Sequence, residues 1–177
     1  MKLVILDRDG VINHDSASYI KSPDEWKPIP GSLEAIALLN QAGYRVLVAT
    51  NQSGIGRGLF EMATLNEIHN KMHRALGLVG GRVDSIFYCP HTQDVDCSCR
   101  KPKPGLLEEI SRRFGVSLEG VPVIGDSLRD LQAAAAVGAQ SILVLTGKGK
   151  KTLKDGGLPE NTITHDDLAA AVHSLLQ

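Results

Sequence analysis

Two carboxylates two positions apart, Asp7 and Asp9, stand where the apolar run LVIL (residues 3–6) stops, in the stretch LDRDG. Like charges this close repel, so something must neutralise them or use them. A third acid, Asp126, ends another apolar run in VPVIGDS. Asp7, Asp9 and Asp126 together suit a hard divalent cation held by oxygen. Magnesium is the natural choice, because it binds through few carboxylates and keeps waters to exchange for phosphate oxygens. The stretch TNQSG adds neutral donors, Thr50, Asn51 and Ser53, and RKPKP adds cations, Arg100, Lys101 and Lys103. Acids with a metal, a hydroxyl and a lysine form a set for phosphoryl transfer: the cations neutralise phosphate oxygens while a carboxylate attacks in line.

A second cluster holds every cysteine of the chain. CPHTQDVDCSC presents Cys89, His91, Cys97 and Cys99 as a Cys-x-His and a Cys-x-Cys pair. Three thiolates and an imidazole are a usual tetrahedral zinc set, and four protein ligands leave no open position for chemistry. Such a zinc shapes a loop and fixes the directions of Arg100 and Lys101, which follow Cys99 directly.

These groups need a frame. Largely apolar runs at residues 3–6, 45–50, 85–89, 121–126 and 141–147 read as buried strands, with a short strand at 162–164. Helical spacing appears at 32–42, where Ser32 can cap and Gly43 stops the helix, and again at 64–76, 103–114, 127–138 and 166–176. The run GKGKKTLKDGG reads as a solvated loop. This alternation predicts an α/β fold, a doubly wound (Rossmann-like), mostly parallel sheet flanked by helices. Residues 1–177 are read as a single domain with no separate cap domain and with one zinc-binding loop. Ligands of such sheets bind beyond the carboxyl ends of the strands. LDRDG, TNQSG and GDS each follow a strand, and RKPKP lies in a strand-to-helix connection, so all four converge on one crevice.

Composition sets the bounds. The chain has 177 residues, 42% hydrophobic and 22% charged, with a net charge of -1. No polycationic surface is on offer for nucleic acid or an anionic membrane. The apolar run before Asp7 is too short for a signal peptide, so a cytoplasmic monomer acting on a small phosphorylated substrate is expected. His69, His73, His165 and His173 read as solvated, and His14 lies near the site without a role.

Taken singly, each element has a plain structural reading: a D-x-D is a polar turn, and Thr50, Ser53, Asp126 or Ser127 can cap helices. Taken together and in order, LDRDG, TNQSG, RKP and GDS-xx-D resemble the haloacid dehalogenase-like phosphohydrolases. The resemblance implies that Asp7 is the nucleophile, forming an aspartyl-phosphate, and that Asp9 is the general acid/base. It implies that Thr50 binds the transferring phosphoryl group, that Asp126 completes the magnesium site, and that Lys101, rather than Lys103, is the family's lysine. Asp130 matches a second acid of many relatives.

The cysteine loop is similar to that of two branches of the family, which act on heptose 1,7-bisphosphate in lipopolysaccharide precursor synthesis and on histidinol phosphate. Substrate-reading candidates are Asp15 to Tyr19, Asn51, Ser53, Arg57 and Arg100. Arg57 and Arg100 suit a second phosphate by bidentate contact, whereas Asp15 and Tyr19 suit an amine and an imidazole. A free-standing chain favours the heptose branch. A zinc-stabilised phosphate-binding module without turnover is the alternative of another class, and replacement of Asp7 separates the two.

Overall fold

The computed structural model describes residues 1–177. Its strands are β1 (Lys2–Leu6), β2 (Tyr44–Asn51), β3 (Ser85–Cys89), β4 (Pro122–Gly125), β5 (Gln140–Val144) and β6 (Ile163–His165). Its helices are α1 (Ser32–Gln41), α2 (Ser53–Gly56), α3 (Met62–Leu78), α4 (Gly105–Phe114), α5 (Leu128–Ala136), α6 (Gly149–Asp155) and α7 (Leu168–Leu175). The strands form one sheet in the order β3-β2-β1-β4-β5-β6, and every pairing is parallel.

Alternation along β1 feeds both faces of the sheet. Val4 and Leu6 enter a core of 22 buried residues shared with α1, α3 and α7. Leu3 and Ile5 enter a second core of 13 residues shared with α4 and α5. Burial of each such side chain contributes about 1.5–3 kcal/mol, which lets the sheet carry buried acids at one end. The long connection from β1 to α1 contains only a 3-10 turn at Pro23–Glu25, so no cap domain stands over the strand ends.

Several expectations shift. Ser32 does not cap α1: Gly31 takes that position with φ 86°, and the Ser32 hydroxyl instead donates to the Val11 carbonyl at 2.9 Å. Helix α4 starts at Gly105, after two prolines, and not at Lys103. The Gly/Lys-rich stretch is not simply a loop. Residues 149–155 form α6, where the Thr152 hydroxyl donates to the carbonyls of Asp126 and Lys148. His69 is buried and not solvated.

Candidate active site

Parallel register brings the clusters to one edge. Leu6 lies opposite Val48 on one side and Ile124 on the other, so the residues after β1 and β4 and at the end of β2 emerge together. They line a crevice of about 490 Å³, in which only three of the 20 lining residues are hydrophobic. That volume suits a small ligand and that lining suits a highly polar one.

Asp7, Asp126 and Asp130 each bring a carboxylate oxygen into a group within 4.8 Å of one another. The Lys101 ammonium lies 3.2 Å from Asp7 and 2.5 Å from Asp130. Burial, with Asp130 and Asp9 nearby, pushes the Asp7 carboxyl up to about 7 in spite of Lys101. Burial, with Asp7 and Asp130 nearby, pushes Asp126 up to about 8. Burial alone would lower Lys101, but Asp130 and Asp7 hold its ammonium well above the usual lysine range. One lysine facing three acids leaves negative charge uncompensated, which fits a divalent cation held by Asp7 and Asp126. Lys103 is exposed and reaches only the Cys97 carbonyl and Asp96, so Lys101 alone serves the acids.

Asp9 does not join this cluster, contrary to its expected place as a magnesium carboxylate. Its Oδ1 accepts from Arg8 Nε at 2.9 Å, Arg8 Nη2 at 2.8 Å and Asn13 Nδ2 at 2.9 Å. Its Oδ2 accepts from Gln52 at 3.1 Å, and Gln52 also reaches the Thr50 hydroxyl at 3.0 Å. Burial would raise the Asp9 carboxyl, but Arg8, Asn13 and Gln52 together hold it below the usual carboxylate range. Asp130 takes the third place in the cluster instead. It also closes a capping box at the start of α5, accepting from the Ser127 backbone and hydroxyl.

Two glycines make room for the acids. A Cβ on Gly10 would collide with the Asp126 carboxylate, and Gly10 has φ 85°. A Cβ on Gly125 would collide with the side chain of Asp130. The Asp126 carboxylate is further fixed by the Lys148 backbone N–H at 2.9 Å.

The remaining candidates ring the crevice. Thr50 is buried at the end of β2. Asn51 lines the crevice, but its amide is engaged with the backbone of Lys101, accepting at 3.0 Å and donating at 3.2 Å. It therefore holds the lysine's backbone in place. Ser53 opens α2 at the crevice wall. Arg57 donates to Gln93 at 2.8 Å and sits over the Tyr19 ring at 5.6 Å. Tyr19 has φ 66°. Arg100 donates to the His91 carbonyl at 3.2 Å, and Asp15 faces Lys148 at 3.6 Å.

Sequence reasoning passed over Arg8, Gln52, His69, Arg129 and Lys148. Gln52 stands inside TNQSG, and Arg8 lies two positions beyond Leu6 on the face that β1 turns to α3. Spacing also marked His69, which lies four residues after Leu65 and three before Met72 on the buried stripe. His14 borders a shallow groove beside Lys148 and touches none of the acids.

Cys89, His91, Cys97 and Cys99 come together with donor atoms within 4.8 Å of one another. His91 Nδ1 lies 3.4 Å from the sulfurs of both Cys89 and Cys99, and the Cys89 and Cys97 sulfurs are 3.8 Å apart. The Cys99 and Cys89 sulfurs approach to 2.7 Å. Three sulfurs and one imidazole nitrogen around a common centre are the donor set and number of a structural zinc.

A family profile described as polynucleotide kinase 3 phosphatase matches residues 2–127, and one described as HAD-hydrolase-like matches residues 98–171. A protein of Bordetella bronchiseptica named D-glycero-beta-D-manno-heptose-1,7-bisphosphate 7-phosphatase is 62% identical, over 100% of this chain and 99% of its own length. The chain belongs to the haloacid dehalogenase-like phosphatases. A Pseudomonas putida member of this family with the same name is 56% identical over 99% of this chain and 100% of its own. Among solved haloacid dehalogenase-like phosphatases, the B. bronchiseptica D,D-heptose 1,7-bisphosphate phosphatase, complexed with magnesium and phosphate, superposes with a TM-score of 0.99. It covers 100% of this chain and 99% of that one at 62% identity. The Burkholderia thailandensis D,D-heptose 1,7-bisphosphate phosphatase superposes with a TM-score of 0.81 at 58% identity, covering 100% of this chain and 99% of that one.

Proposed function

We propose that this chain removes the 7-phosphate of D-glycero-D-manno-heptose 1,7-bisphosphate by way of an aspartyl-phosphate on Asp7, in lipopolysaccharide heptose precursor synthesis. The observation that carries the reading is the full-length likeness to relatives of that name, with Asp7, Asp9, Thr50 and Lys101 lining one crevice. Asp7 attacks phosphorus in line and the bond to the sugar oxygen breaks. Asp9 supplies the proton that the leaving oxygen takes up, then removes a proton from the water that hydrolyses the aspartyl-phosphate. The free protein holds Asp9 ionised, the form that accepts a proton. A phosphate dianion drawn alongside disfavours that charge and lets Asp9 carry the proton the first step needs.

Lys101 neutralises a phosphate oxygen, and Thr50 donates to another. Magnesium, when bound between Asp7 and Asp126, supplies the charge that keeps Asp7 ionised and offsets the phosphate oxygens. Zinc at Cys89, His91, Cys97 and Cys99 holds the loop that presents Arg100 and Lys101. Arg100 and Arg57 are the cations for the sugar's other phosphate. The whole chain acts as one domain, a cytoplasmic monomer; unpaired thiols are at home in a reducing compartment, and a net charge of -1 gives nucleic acid and membranes no purchase.

The test is phosphate release with magnesium from heptose 1,7-bisphosphate and histidinol phosphate side by side. Fast release of a single phosphate from the bisphosphate is expected. Preference for histidinol phosphate would overturn the substrate and leave the acids in their roles.

A further inference from the structure

Arg8 is fully buried, and its guanidinium is shared between two partners. Nε and Nη2 both donate to a single oxygen of Asp9, at 2.9 and 2.8 Å, while Nη1 meets His69 Nε2 at 3.1 Å. A guanidinium has only donors, so His69 Nε2 must offer a lone pair and the ring proton must sit on Nδ1. The imidazole is therefore a neutral acceptor, buried on α3 among Leu65, Ile68 and Met72.

We infer that His69, acting through Arg8, positions the Asp9 carboxylate. The inference rests on the reading of Asp9 as the general acid/base. A long side chain with one anchored arm can rotate about that arm, whereas anchors at two edges of the planar guanidinium set the direction of the fork. The Nη1 bond to His69 supplies the second anchor, and Gln52 on the other Asp9 oxygen completes a carboxylate with no free rotation. Neither Arg8 nor His69 lines the crevice, so both act through Asp9 and neither touches substrate.

Two substitutions of His69 separate this role from simple packing. The amide of Gln extends about as far as Nε2 of histidine, and that of Asn only as far as Nδ1. His69→Asn is expected to lower kcat about tenfold with KM for heptose 1,7-bisphosphate changed less than about twofold, since misplacing a reacting group costs turnover and not binding. His69→Gln, which offers Arg8 an acceptor in the old place, is expected to recover most of that loss. Equal kcat for the two variants, whether both high or both low, overturns the inference, as does a change confined to KM. Should His69→Asn fail to fold, Arg8→Lys carries the test, because it keeps the charge but loses the fork and is expected to show the same loss of kcat with KM kept. Asp9→Asn in the same assay separates the two levels. Turnover that survives it removes the acid/base reading and this inference together, whereas turnover lost in Asp9→Asn but untouched in His69→Asn overturns the inference alone.

Discussion

The Lys101 ammonium lies closer to Asp130, at 2.5 Å, than to Asp7, at 3.2 Å. The lysine is thus anchored by an acid that also caps α5, and it reaches across to Asp7 from that anchor. Breaking such a buried pair from one side leaves an uncompensated charge, worth about 3–5 kcal/mol. Lys101→Ala is expected to reduce turnover at least a hundredfold and to lower the melting temperature, whereas Lys103→Ala, on an exposed cation, leaves both near native. Steady-state kinetics and thermal melting of the pair check this contrast, which would fail if Lys103 proved the more costly.

Replacement of the nucleophile predicts a different pairing of effects. Asp7→Asn is expected to reduce phosphate release by at least about a thousandfold, because the amide that replaces the carboxylate cannot form the covalent intermediate. Lys101 keeps Asp130, and one of three crowded acids loses its charge. The metal-free melting temperature at pH 8 should therefore be unchanged or higher. Activity surviving this change would remove the aspartyl-phosphate and favour a binding module.

The acids also set a pH dependence whose sign is definite. Asp7 is raised to about 7 and Asp126 to about 8, chiefly by burial. Between their unfolded value near 4 and these folded values the native state holds more protons than the unfolded chain. The contribution of these two acids to metal-free stability should then fall as pH rises from about 4 to 8, against one opposite contribution below about 6.5 from His69, which burial and Arg8 lower to about 3. Magnesium replaces those protons, so the gain in melting temperature on adding it should grow over the same range. Melting curves with and without magnesium chloride at several pH values would expose a gain that is flat or shrinking with pH.

Zinc removal should act on the loop before it acts on the acids. One equivalent of zinc per chain is expected, and a strong chelator should expose the three thiols of Cys89, Cys97 and Cys99 to a thiol reagent. Burial raises Cys97, but the backbone N–H groups of Arg100 and Cys99 together lower it to about 7, so it should react first. Metal analysis and thiol titration settle the point, and three reactive thiols before chelation would exclude the site. KM should rise more than kcat falls, because Arg100 rides on this loop.

Gly10→Ala tests the crowding directly. Any side chain there meets the Asp126 carboxylate, and the φ of 85° disfavours it as well. Weaker magnesium binding, read by calorimetry, and a lower melting temperature are expected together. Native magnesium affinity would mean that Asp126 is free to move aside.

Much of this was readable from spacing. The five longer strands and the helices flanking them follow from apolar runs and helical stripes, since a parallel sheet buried on both faces leaves no other place for such segments. The Cys/His cluster and the meeting of Asp7 with Asp126 followed from residue type and order. What stayed hidden was the partnering of buried polar groups. Asp130 looks like any first-turn acid until Lys101 arrives from residues far away in the chain, and the Asp9 side chain turns to Arg8 and not to the cluster. Helix α6 escaped because glycines and lysines carry no apolar stripe. Its hydrogen bond to the Asp126 carbonyl is a tertiary contact, with no trace in local sequence.

Helix α3 has a further consequence. Two positions after His69, Lys71 donates to the carbonyls of Pro23 and Trp26, the far end of the segment that carries Asp15 and Tyr19 to the crevice. One rod, α3, thus bears on both the Arg8–Asp9 pair and the segment that brings Asp15 and Tyr19 to the crevice. If the rod slides along the sheet, the Asp9 carboxylate and the wall of the crevice formed by Asp15 and Tyr19 shift together.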